Sequence, residues 1–173
     1  LADGTRVEVT GTVRDPVLRS IIWHQVDHCP EQLAAGVQVD AGLDWERRYQ
    51  HMKMHTCLHL LCSLIDAPVT GCSISADKGR LDFDLPEMTL DKDDLTRDLN
   101  ALIEQAHAVK TLSMPATEYA TLLQITRTQA VAPPVVSGSV RVIEIPGIDI
   151  QPCGGTHVLN TEEIGRVFCE KIE

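Results

Sequence analysis

The sequence predicts an α+β protein, a small N-terminal β-rich unit followed by helices packed on a mainly antiparallel sheet. Three observations carry this. The first 43 residues hold short alternating runs of apolar and polar side chains broken by turn residues. The segment after them repeats apolar positions at helical spacing. The remainder places short alternating runs on either side of a second helical pattern. With 173 residues, 43% hydrophobic and 23% charged, the chain can bury a core, and disorder, collagen-like repeats and coiled coil are disfavoured.

From Arg6 to Val13 apolar and polar residues alternate, and a second extended stretch runs from Leu18 to Val26, which predicts a β-hairpin across Arg14-Asp15-Pro16. Gly36 to Val39 ahead of Asp40-Ala41-Gly42 reads as another short strand and turn. These pieces make residues 1–43 one unit. Because the chain opens at Leu1 rather than Met, within what reads as a strand-and-turn region, this unit is expected to be truncated. Residues 44–173 form the second unit. Asp44 can cap a helix beginning at Trp45, and Met52, His55, His59 and Cys62 then recur at spacings of three, four and three beside an apolar stripe of Leu58, Leu61 and Ile65. A helix over about 45–65 follows, stopped by Asp66-Ala67-Pro68. Leu81 to Leu85 alternates as a strand closed by Pro86, and a second helix is predicted from Asp91 to Lys110, with acidic residues in its first turn where the helix dipole favours them. Residues 113–129 show no clear period, and Ala132-Pro133-Pro134 to Gly138 reads as a loop. Val140, Val142 and Ile145 mark a strand, the glycine-rich Cys153 to His157 a tight loop, and Arg166 to Ile172 a last strand.

The formal net charge of -10 argues against a protein that grips nucleic acid by bulk electrostatics. The charge is uneven, however. Seven acidic and two basic residues between Asp82 and Asp98 give -5, half the total. A local basic face of Arg47, Arg48 and Lys53 is therefore left as the candidate for meeting phosphate. Aromatics at 3% disfavour a module built on stacked bases. Six cysteines, unevenly spaced, fit free thiols or a metal better than a disulfide scaffold, and no apolar run approaches the roughly 20 residues of a spanning helix. The expected location is cytoplasmic.

His51, His55 and His59 stack along one helix face about 6 Å apart. His55-Thr56-Cys57-Leu58-His59 has the zincin spacing without the zincin glutamate, since Thr56 follows the first histidine, so a metalloprotease is disfavoured. A histidine pair at this spacing is by itself more often packing than ligation. Cys153 and His157, however, add a soft thiolate and a third imidazole around two glycines, and the four together make a natural tetrahedral zinc set. His24 and His28 lie on a strand without a partner motif. His51 and His107 read as structural.

The runs Asp44 to Leu61 (DWERRYQHMKMHTCLHLL), Val69 to Glu87 (VTGCSISADKGRLDFDLPE) and Gln151 to Gly165 (QPCGGTHVLNTEEIG) resemble the editing domain of alanyl-tRNA synthetases and, more closely, the free-standing AlaX-type alanyl-tRNA editing proteins. That resemblance implies that residues 44–173 are a zinc-dependent tRNA editing domain, a hydrolase removing wrongly attached serine, and in some members glycine, from the tRNA for alanine. It carries the metal ligands to His55, His59, Cys153 and His157, and matches Thr56 to the threonine thought to contact the serine hydroxyl. Larger members have a glycine-rich segment upstream of the β unit that is missing here. A synthetase pocket for alanine cannot strongly reject serine, so a second site must hydrogen-bond the extra hydroxyl. The sequence assigns no general base. Two other readings stay open: a structural zinc module that binds RNA or a protein partner without catalysis, and a metal-dependent esterase for another acyl ester.

Overall fold

The computed structural model describes residues 4–18, 20–87, 89–122 and 138–172. They divide into two compact units, Leu1–Leu43 and Asp44–Glu173. Among the described residues three helices accompany three antiparallel sheets, an α+β mixture.

In the first unit, strand β1 (Val9–Arg14) pairs antiparallel with β2 (Ile22–Val26), Val13 opposite Trp23 and Arg14 opposite Ile22. The chain reverses at Asp15, whose carboxylate accepts from the backbone N–H groups of Val17 and Leu18 and from the Trp23 indole. These bonds, that from Leu18 foremost, hold the exposed carboxyl below its ordinary pKa. Gly36 to Val39 is not a strand, contrary to its alternation. It has no facing ladder, and the Val37 N–H instead closes a turn onto the Ala34 carbonyl. No described residue of this unit is buried.

The second unit is built on helix α1 (Trp45–Leu64), capped by Asp44, whose Oδ1 accepts from the Arg47 N–H at 3.0 Å. Its inner face buries Thr56, Cys57, Leu58, His59, Leu60 and Cys62. Strands β3 (Val69–Ile74) and β4 (Gly79–Phe83) form a hairpin, β3 being an element the sequence reading omits. Gly79 lies so close to α1 that a Cβ there would stand 3.0 Å from both Leu58 and Met54. Helix α2 (Lys92–Glu104) is capped by Asp91 and ends well before Lys110. The expected extent is corrected because Ala106 takes a left-handed φ of 56° that breaks the helix, and Lys110 opens strand β5 (Lys110–Pro115). Helix α3 (Ala116–Leu122) follows, so the described part of 113–129 is strand end and helix, while its remainder and the loop up to residue 137 lie outside the described residues. Strands β6 (Ser139–Ile145) and β7 (Asp149–Pro152) complete a sheet ordered β5-β6-β7, with Val142 opposite Pro152 and Ile143 opposite Gln151.

The core joins Leu60 of α1, Leu99 and Ile103 of α2, Ile143 and Ile145 of β6, and Val158. Burying each such aliphatic side chain is worth about 1.5–3 kcal/mol, and this fixes α1 against the sheet that carries the glycine-rich loop. A short 3-10 helix, Thr161–Ile164, begins in an Asn160–Glu163 capping box and is tied to α1 by the Tyr49 hydroxyl donating to Glu163 at 2.6 Å. Arg166 to Ile172 forms no strand. Three of its polar backbone groups go to side chains of α2: Asn100 donates to the Val167 carbonyl and accepts from the Val167 N–H, and Thr96 accepts from the Cys169 N–H. With these groups paired, a ladder is not needed. Among the described residues no helix is long and apolar enough to cross a membrane.

Candidate functional site

His55 and His59 come from α1, and Cys153 and His157 from the loop leaving β7. One ligand atom from each lies within 4.8 Å of those of the other three. The Cys153 Sγ stands 3.4 Å from His55 Nε2 and 3.3 Å from His157 Nε2. A tetrahedral ion with N and S ligands at ordinary zinc distances requires an N···S edge of about 3.6 Å, so the observed separations fit such an ion. The three rings surround this point, His55 with its centroid 4.2 Å from that of His157 and His59 4.7 Å from it.

The loop reaches this position because of groups outside the ligand set. Arg141 of β6 donates through Nη1 to the carbonyls of Cys153 and Gly155, at 2.5 and 2.7 Å, and the Cys153 N–H returns to the Arg141 carbonyl at 3.2 Å. Gly155 packs against the His55 ring so tightly that a Cβ would fall 2.2 Å from Cε1. Here glycine is demanded by close approach.

Electrostatics divides the ligands. Burial would raise the Cys153 thiol, but hydrogen bonds from His157, His55 and His59 outweigh it and bring the pKa down to about 3. Burial would lower His59, yet the Asp149 carboxylate at 2.7 Å, aided by Cys153, lifts it to about 9. His157 goes the other way, pushed down to about 4 by burial despite Cys153. A thiolate among imidazoles is a donor set for a borderline-soft divalent cation.

Thr56, next to His55, is fully buried, and its hydroxyl lies 2.9 Å from the Met52 carbonyl, 3.1 Å from His157 Nδ1 and 3.3 Å from the Val158 N–H. Arg47 and Arg48 are exposed near the start of α1, and the half-buried Lys53 sits with its Nζ 4.7 Å from the Tyr49 ring centroid. The other histidines are placed elsewhere. His51 Nδ1 meets the Arg47 carbonyl of its own helix, His107 contacts Gln105, and His28 pairs with Asp27 at the surface. Among the described residues, the four-residue group is the one constellation arranged to hold a metal. The sequence reading missed Arg141, Asp149 and Gln151. For the last two the available signal was the two-residue spacing of Asp149 and Gln151 leading into Cys153, which puts both on one face of β7.

A cavity of about 120 Å³ opens beside the ligands, lined by the apolar Leu58, Val69, Ile74 and Leu81 together with His55, His59, Gln151 and Cys153.

Residues 140–173 match the family described as threonyl and alanyl tRNA synthetase second additional domain. The chain is 36% identical over 159 residues to the alanyl-tRNA editing protein AlaX-M of Methanosarcina barkeri, covering 88% of this chain and 65% of that protein. It is 33% identical over 177 residues to the AlaX-M of Saccharolobus solfataricus, covering 98% and 72%. An alanine–tRNA ligase of Saccharolobus islandicus is 30% identical over 97% of this chain but only 19% of its own length. Against the three Methanosarcina relatives the chain spans 65%, 60% and 59% of their lengths. The identity to the Saccharolobus editing protein extends along nearly the whole chain and most of that relative, and the chain belongs to the family of AlaX-type alanyl-tRNA editing proteins.

Proposed function

We propose that the chain deacylates mischarged tRNA for alanine, with seryl-tRNA as the main substrate and glycyl-tRNA as a further one, at a zinc site of His55, His59, Cys153 and His157. The observation that carries this reading is the convergence of those four donors, three of which, His55, His59 and Cys153, line a largely apolar cavity. An aminoacyl ester is already activated, so orientation in a dry pocket supplies much of what hydrolysis needs. When bound there, zinc supplies a Lewis acid that polarises or orients an ester carbonyl or a water. Leu58, Val69, Ile74 and Leu81 give the acyl group an apolar wall beside the ligands. Gly155 lets the loop close on His55. The exposed Arg47 and Arg48, with Lys53 on the same helix, supply positive charge to meet tRNA phosphates.

A second reading is supported by the ligand count. Four protein donors leave no open position on a tetrahedral ion, as in structural sites. Hydrolysis of seryl-tRNA by the purified chain, with and without a chelator, separates the two. Loss of deacylation after metal removal, restored by zinc, is expected. A zinc-loaded chain that binds the tRNA and leaves the ester intact would establish a structural module.

A further inference from the structure

Two of the ligand histidines are each gripped at the ring nitrogen that faces away from Cys153. His59 Nδ1 lies 2.7 Å from Asp149 Oδ2, and both side chains are nine-tenths buried. An ionised carboxylate only accepts, so this nitrogen carries hydrogen. Asp149 is itself steadied by Gln151, whose Nε2 donates to Oδ1 at 2.8 Å.

The Thr56 hydroxyl imposes the same state on His157 by a different route. Its oxygen is 2.9 Å from the Met52 carbonyl, a distance at which two oxygens need a hydrogen between them, and the carbonyl has none to give. The single hydroxyl hydrogen is thereby assigned to Met52. The Val158 N–H takes one lone pair. What remains for His157 Nδ1, 3.1 Å away, is the second lone pair, so His157 also donates from Nδ1. In both rings Nε2 is left as the ligand atom.

We propose that Asp149 and Thr56 are positioning residues, each fixing the tautomer and orientation of one metal-binding histidine, and that Thr56, with every hydrogen-bonding capacity engaged, reads no substrate hydroxyl. The inference rests on the zinc reading above. Outer partners of this kind usually change metal affinity by 10–100-fold. Asp149→Asn is the sharpest test for His59. Asparagine offers one acceptor where two are used, so either His59 or Gln151 must face an amide N–H.

The experiment is zinc affinity by chelator competition, with the visible spectrum of the cobalt-loaded chain as a report on ligand geometry, for wild type, Asp149→Asn, Thr56→Val and Thr56→Ser. Asp149→Asn and Thr56→Val are expected to bind zinc about 10–100-fold more weakly with an altered cobalt spectrum, and Thr56→Ser to restore both. The ratio of seryl- to alanyl-tRNA deacylation at saturating zinc is expected to stay unchanged in Thr56→Val. Wild-type affinity and spectrum in Asp149→Asn and Thr56→Val overturn the positioning roles alone. A collapsed ratio in Thr56→Val with normal zinc binding overturns the role given to Thr56. A wild-type chain that binds no zinc overturns the underlying reading as well.

Discussion

His55 and His59 stand four residues apart, and so do Cys153 and His157, yet the two pairs owe their geometry to different physics. The helix pair is set by the hydrogen-bond ladder of α1, which stacks every fourth side chain on one face whatever lies between them. The loop pair has no ladder. Its backbone is held by Arg141 on two carbonyls and by the absence of a side chain at Gly155. The backbone placement of the helix half should therefore fail only when the helix loses its packing, whereas that of the loop half should fail at single residues that leave the core intact.

The largest expected effect tests the first clause. Leu60 is completely buried between α1 and the core, and Leu60→Ala should cost about 2–5 kcal/mol in chemical denaturation. Metal binding should weaken with the fold. A cost below about 1 kcal/mol, within the range of surface changes, would mean that α1 is not held by this packing.

Gly155→Ala tests the second clause. Its methyl would collide with the His55 ring, so zinc affinity measured by chelator competition should fall by about 100-fold or more while the denaturation midpoint of the metal-free chain moves little. Unchanged affinity would make the loop as tolerant as the helix. Arg141→Met should act in the same direction but less. It keeps an apolar stem and removes two charge-assisted hydrogen bonds, for an expected loss of about 1.5–3 kcal/mol in loop closure, read as a roughly tenfold or greater fall in zinc affinity. An affinity within twofold of wild type would show that the loop is held by other contacts.

The smallest effect sharpens the contrast through two thiols. Cys153 is brought down to about 3 by its imidazole neighbours, while Cys57, on the core side of α1, is pushed up to about 12, chiefly by burial and also by Cys169. A thiol with a raised pKa in the fold contributes stability that is complete below its unfolded value near 9 and is lost as pH rises toward 12. At pH 10 the loss from Cys57 should be on the order of 1 kcal/mol relative to pH 8. Cys57→Ala should remove that share of the alkaline decline in stability, measured against wild type across the same range. Parallel curves would show that Cys57 ionises as freely in the folded chain as in the unfolded one.

What was legible in the sequence follows the same division. Helix α1 and its cap could be read from residues 44–65, because helical period and capping are local. The grouping of the four ligands was inferred from spacing and residue type, and the tertiary structure brings those residues together. Arg141 was not legible, since a guanidinium on a strand gains its role only from the chain segment it faces, whereas Asp149 and Gln151 were signalled only by their two-residue spacing ahead of Cys153. The end of α2 was misplaced because nothing local announces a left-handed alanine at Ala106. Gly36 to Val39 and Arg166 to Ile172 both alternate as strands should. Alternation reports which faces differ in polarity, and a strand also needs a neighbour with free backbone groups.

Asn100 gives the last of these segments an unusual partner. One side-chain amide, projecting from a helix, offers Val167 both the carbonyl and the N–H that a neighbouring strand would have supplied. With Thr96 on the Cys169 N–H, the segment is fastened at side-chain rivets rather than along a seam. Amide exchange should report this directly: Val167 and Cys169 should exchange more slowly than the exposed Phe168 between them, and each should open well below the free energy of global unfolding, Val167 when Asn100 lets go and Cys169 when Thr96 does.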